Sequence, residues 1–159
     1  MDQWMVVLAF VAAVGSGLMG GFFFAFSNTV MAALGRLPPP QGIAAMQSIN
    51  VVVLNPPFFL AFFGTALISL LLAVTVFWWG GLNPWLVLIA GLLYLAGCIG
   101  VTMVRNVPLN NALAAASADS VEATALWSRY LGIWTLWNHL RTAACIAASI
   151  VLMISLMAV

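Results

Sequence analysis

Four apolar stretches govern what this chain can fold into. They run from about Trp4 to Leu34, Phe58 to Trp79, Pro84 to Val104 and Leu131 to Met157, and the first three hold no charged residue. A helix needs roughly 20 apolar residues to cross the ~30 Å hydrocarbon core of a bilayer, and every stretch meets that length. Composition excludes the soluble alternative. Of the 159 residues 65% are hydrophobic and 4% are charged, against about 25% charged in an ordinary soluble domain. The expected architecture is an all-α integral membrane protein with a single domain over residues 1–159. It is a four-transmembrane-helix bundle, up-down-up-down because the loops are short, with short interfacial helices capping one end.

The breaks between stretches carry turn chemistry. "GRLPPPQG" ends the first helix, since a proline run cannot continue it. "GGLNP" makes a tight connection, with Pro84 set to open the third helix. "RNVPLNN" reads as an interruption after the third. Gln41–Leu54 is helical but too short and polar to cross. In "ADSVEATALW", Asp119 reads as an N-cap with Glu122 three residues on, a capping-box pattern. That helix runs on towards the fourth span, with a bend expected near Gly132. The N-terminus lacks the basic region and cleavage pattern of a signal peptide and reads as the first span. Cys98 and Cys145 lie in apolar runs and read as buried, inert thiols. No basic patch offers a site for nucleic acid.

Helix length serves as a ruler. Arg141 to Val159 is about 27 Å and Pro84 to Arg105 about 31 Å at 1.5 Å per residue, so both arginines reach the same boundary. Asn28, Arg36 and the Gln41–Pro57 segment lie at that end too. The other end has Trp4, Trp78, Trp79 and Trp85, an interfacial aromatic belt. The polar end gathers all four arginines, the only histidine (His139) and most of the asparagines. The positive-inside rule places this end in the cytoplasm, both termini outside, and the bacterial inner membrane is the expected location.

On the last helix Trp127, Tyr130, Trp134, Asn138, Arg141 and Cys145 recur at steps of three and four, a single stripe. His139 lies about 100° round from Asn138. Asn106 and Asn110 share a face if helical. Ionisable residues at membrane depth are functional candidates by default. Each also has a plain structural reading: Arg141 can snorkel to the headgroups, the aromatics can form a second belt, and the asparagines can cap or join helices. Ser16/Gly20 and Gly17/Gly21 mark faces for close helix approach, within the bundle or in a homo-oligomer. The residues show no nucleotide loop, Ser-His-Asp set, paired carboxylates or metal cluster. A haem needs only one axial histidine, which His139 can supply.

The ordered segments "GFFFAFSNTVMAALGRLPPPQGIAAMQSIN", "LNPPF", "NVPLNNALA" and "W…YLGIWTLWNHLRT" resemble a bacterial branch of the membrane family that includes the fungal anthrone oxygenases. The resemblance covers nearly the whole chain. It implies oxidation of a tricyclic anthrone, or a quinol-like relative, to the quinone with O2 and no obvious redox cofactor. Such chemistry needs a base, a group to hold an oxyanion and an apolar aromatic slot. His139 is the expected base and Arg141 or Arg105 the expected oxyanion partner. Asn106, Asn110 and Asn138 are expected donors. Tyr130, Trp134, Trp137 and Phe26 are expected to stack on the rings, with Asn28 beside them. Two other classes fit the residues: a haem- or quinone-binding redox protein using His139 and Arg141, and a non-catalytic accessory or ligand-binding subunit. A channel or transporter fits less well, since four short spans lack the broken-helix pairs of secondary transporters.

Overall fold

The computed structural model describes residues 3–78 and 81–158. All the described elements are helical. Helix α1 spans Gln3–Leu34, α3 Pro56–Thr75, α4 Pro84–Ala114 and α5 Val121–Met157, and these four are long and apolar enough to cross a membrane. A shorter helix, α2, covers Pro39–Val52. The chain is an integral membrane protein. Its neighbours run antiparallel around a ring. Tyr94 of α4 donates to the Phe62 carbonyl of α3, and Ser149 of α5 donates to the Ala13 carbonyl of α1. The bundle is up-down-up-down as expected.

Unequal helix length shapes the molecule. Helix α3 is 20 residues long, about 30 Å, while α1, α4 and α5 have 32, 31 and 37 residues. At one end three helices therefore project one or more turns beyond the fourth. The connection from α1 to α3 fills that space by folding as α2. The result is two stacked cores. The first lies among the four spans and includes Met5, Met19, Phe23, Phe62, Tyr94 and Cys145. The second joins the projecting ends to α2 through Ile43, Met46, Leu113, Trp127, Tyr130 and Trp134. Gln47 ties the cap down by donating to the carbonyls of Leu113 and Ala116, at 2.8 and 3.0 Å. Those carbonyls belong to the end of α4, where intrahelical donors run out.

Several local readings hold and several are revised. Asn83 caps α4 by accepting from the Trp85 and Leu86 amides, with Pro84 in the first turn and Gly81 at a φ of 113° in the connection. Asn55 caps α3 in the same way through the Phe58 amide, so α3 begins at Pro56 rather than Phe58. It ends at Thr75, and the expected terminal Trp79 lies outside the described residues. The cap of α5 is Ser120, whose Oγ accepts from the Ala123 amide at 3.0 Å; Asp119 precedes it. Helix α5 then continues unbroken through Gly132, so the fourth span starts ten residues before Leu131. "RNVPLNN" does not interrupt the third helix. Thr102–Asn106 forms a π-helical segment, and the helix passes through Pro108 to Ala114. The wider turns loosen the carbonyl ladder where the proline ring would otherwise clash.

The small residues of α1 serve packing inside the chain. A Cβ on Gly20 would lie 2.9 Å from Ile146, and one on Gly17 would lie 3.2 Å from the Ser149 hydroxyl. Gly21 meets no neighbour and is exposed. The expected Gly17/Gly21 face is thus divided between an internal contact and an open position.

Candidate functional site

The polar residues that converge do so at the seam between the two cores. Every member of the α5 stripe (Trp127, Tyr130, Trp134, Asn138, Arg141 and Cys145) is buried. Three π-helical segments pack against α5: Phe26–Val30 in α1, and Leu93–Gly100 and Thr102–Asn106 in α4. At the seam the first and last of them each turn a polar residue inward, Ser27 and Asn106, with Thr102 half-buried beside the latter. Wide turns of this kind commonly sit at functional sites because they re-aim side chains against the ordinary helical register.

Arg141 is the centre of the site. It is only 4% exposed. Its Nη2 donates to Asn138 Oδ1 and its Nη1 to the Thr102 hydroxyl at 3.1 Å. The guanidinium lies 4.1 Å from the Phe23 ring centroid and 5.2 Å from that of Trp134. Nε is buried without an acceptor. Among the described residues no carboxylate pairs with it. The acceptors it does have are neutral, and the rings supply only a modest attraction to a cation. A buried charge is ordinarily paired, so this arrangement leaves room for an anionic partner.

Asn138 holds that guanidinium. Its Nδ2 donates to the Phe23 carbonyl at 2.7 Å and to Ser27 Oγ at 2.5 Å, joining α5 to α1. Asn110 Oδ1 accepts from the Tyr130 hydroxyl and the Trp134 indole, both at 2.7 Å. Trp127, Tyr130 and Trp134 stack along α5 at centroid separations of 5.6 and 5.8 Å. Asn106 donates to the Trp134 carbonyl at 3.2 Å, so it braces α5 rather than facing open space.

Two adjacent cavities lie on this side of the bundle, and the smaller reaches Arg141. The larger, of about 520 Å³, lies between α1, α2 and the start of α3, walled by Leu18, Phe22, Phe26, Val52 and Phe58. Its lining is almost wholly apolar, and Leu18 and Val52 are exposed at its rim. The smaller, of about 100 Å³, shares Phe22, Phe26, Ile49, Val53 and Phe58 with it and reaches Asn50, Thr102, Asn110, Trp134 and Arg141. An open apolar vestibule thus lies beside a small chamber with a cation in its wall.

Of the expected site residues, the structure brings together Arg141, Asn138, Asn110, Trp134, Tyr130 and Phe26, with Asn106 behind them. It does not bring in the others. His139 is exposed on the outside of α5, so a haem held by it would lie on the outer face of the bundle rather than in the cavity. Asn28 is exposed, and Ser27 takes the inward position. Arg105 is exposed and sits 4.7 Å from the Trp137 ring, a pair outside both cavities. Sequence reasoning did not single out Thr102, Asn50 or Phe58. The only signal for them was their position near the polar end.

Fold and site together define a small helical membrane protein with a buried arginine, paired with no carboxylate among the described residues, in the wall of a small chamber beside an apolar cavity. The chain belongs to the anthrone oxygenase family, whose family model matches residues 58–151. That span includes Thr102, Asn110, Trp134, Asn138 and Arg141, while Ser27 and Asn50 lie outside it. No characterised protein and no solved structure matched the chain.

Proposed function

We propose that this protein oxidises a lipophilic fused aromatic ketone or quinol-like compound with O2, and that Arg141 binds the oxyanion formed on the way. The observation that carries this reading is a buried guanidinium with no carboxylate, in the wall of an aromatic chamber. In an anthrone, loss of a proton from the ring methylene to water at the open cavity yields an enolate with its negative charge on oxygen, and the water carries the proton out. A preorganised cation in a low-dielectric site favours that charge far more than water does. The electron-rich enolate then reduces O2; oxygen is added at the former methylene carbon, water leaves and the quinone remains. Arg141 acts on the enolate, Asn138 and Thr102 aim the guanidinium, and Phe22, Phe26, Phe58 and Trp134 enclose the rings. His139 is exposed and off the chamber, so this scheme gives it no part. An apolar vestibule suits substrates that partition, like O2, into the bilayer. In this reading the arginine-bearing end faces the cytoplasm, consistent with the positive-inside rule in a bacterial inner membrane.

The test is O2 uptake and quinone formation by protein purified in mild detergent and supplied with anthrone, compared with Arg141→Gln. Turnover lost in the variant supports the scheme. Anthrone binding without O2 uptake in either protein would make it a ligand-binding subunit. A visible absorption spectrum of the same sample addresses the haem alternative directly.

A further inference from the structure

We infer that Asn50 of the cap helix is a second oxygen-binding group of the chamber, so that the ligand presents two oxygen acceptors along one edge of its ring system. The inference rests on the reading of Arg141 given above and deepens it. Among the described residues, the buried side-chain polar atoms without a partner are on Ser16, Asn50, Asn106, Thr135, Arg141 and Ser155. Of these residues, only Asn50 and Arg141 line the chamber. Both orphaned atoms, Asn50 Nδ2 and Arg141 Nε, are donors. A buried donor without an acceptor costs stability; both atoms are closed off from the chamber they border, so a ligand that supplies acceptors would meet them through a small rotation of each side chain.

The position of Asn50 is set by the fold. Gln47, one turn earlier on α2, is anchored to the end of α4 through the Leu113 and Ala116 carbonyls. Residues three apart share a helix face, so this anchor holds Asn50 towards the chamber. The Tyr130 hydroxyl donates to Asn110 and interacts with the Asn50 side chain from outside full hydrogen-bond geometry, so it offers Nδ2 only a partial acceptor. The walls around both donors are apolar: Phe22, Phe26, Ile49, Val53 and Phe58. A planar ring system lying mostly in the larger cavity of about 520 Å³ can put only its oxygen-bearing edge into the chamber of about 100 Å³, between α5 and α2. Ligand binding then ties the cap helix to the membrane bundle.

The probes are unsubstituted anthrone and an anthrone with a hydroxyl on the ring carbon next to the carbonyl-bearing position. Dissociation constants are measured anaerobically by tryptophan quenching on the full chain in mild detergent. Asn50→Leu is expected to weaken the hydroxylated probe about three- to tenfold, the worth of one hydrogen bond, and to leave the plain one within about twofold. Arg141→Gln is expected to weaken both. If Asn50→Leu shifts both probes equally, or neither, while Arg141→Gln weakens both, the second contact is overturned and the Arg141 reading stands. If Arg141→Gln changes neither probe, both fall together. Asn50→Ala is run alongside, so a packing effect of the leucine is separated from the loss of the donor. The same selectivity between probes must appear in it.

Discussion

Asn138 Nδ2 donates to the Phe23 carbonyl at 2.7 Å, and its Oδ1 accepts from Arg141 Nη2. One fully buried amide thus links α1 to the guanidinium one turn further along α5. The amide is uncharged and acts as a clamp on a cation whose charge it does not cancel. An aspartate in its place would keep the shape and the contact with Arg141 and neutralise the site, but it would lose the Nδ2 donor and set a carboxylate oxygen against the Phe23 carbonyl.

Asn138→Asp tests that distinction. The variant is expected to fold with thermal stability near or modestly below the parent in detergent, because the gain of a direct ion pair is offset by loss of the Nδ2 bond to the Phe23 carbonyl. Binding of an enolate-forming ligand should fall by more than about tenfold, because the guanidinium is already paired. Asn138→Ala should instead lower stability by about 1–3 kcal/mol, since it removes the interhelical bonds and leaves a buried donor and acceptor unmet. Thermal denaturation and ligand titration on the two variants check both expectations.

Arg141→Met separates activity from stability. Losing an oxyanion-binding cation is expected to lower kcat/KM by about 100-fold or more. Stability should be unchanged or higher, because an unpaired buried charge is replaced by an apolar side chain of similar length. A melting temperature well below the parent would show that the arginine is a structural element first.

His139→Ala is expected to change little. The side chain is exposed and has no part in the hydrogen-bond network around Arg141. Turnover should stay within about threefold, and surface substitutions of this kind are usually within about 0.5 kcal/mol in stability. A hundredfold loss of turnover would restore the histidine as a base and require the substrate to bind outside the cavity.

Gly42→Ala should loosen the cap. The added Cβ would lie 2.9 Å from both the Leu34 carbonyl and the Trp127 ring. Overpacking typically costs about 1–3 kcal/mol, and here it pushes α2 away from α5 and disturbs the chamber. Gly21→Ala is the control: nothing lies within 4 Å, and alanine favours helix over glycine by up to about 1 kcal/mol. Proteolysis of the Pro39–Val52 segment and ligand affinity should change in the first variant only.

Much of this was legible in residue order. The spans follow from long uncharged runs, and the six-residue stripe from Trp127 to Cys145 follows from helical phase; all six are buried. Asn28 was expected at the site and Ser27 occupies it, because Ser27 lies four residues on from buried Phe23 and seven from buried Gly20, while Asn28 lies about 100° round from that face. Helix α4 was expected to stop before Pro108 and does not, because the wide Thr102–Asn106 segment accommodates the proline. His139 and Asn138 are adjacent in sequence, and residue type alone favoured the histidine. The 100° between them put one outside and the other in the core.

The sequence by itself determined that this chain enters a membrane, how many times it crosses and which end carries its polar groups. Hydropathy is additive along a continuous segment and needs no knowledge of neighbours. Only the tertiary structure decided which polar atoms lose both water and partner. Asn50 and Arg141 come from distant segments, and nothing within either of them states what the other leaves unsatisfied. A binding site for an anionic or oxygen-rich ligand is such a deficit, shared across helices, and it exists only once they are packed.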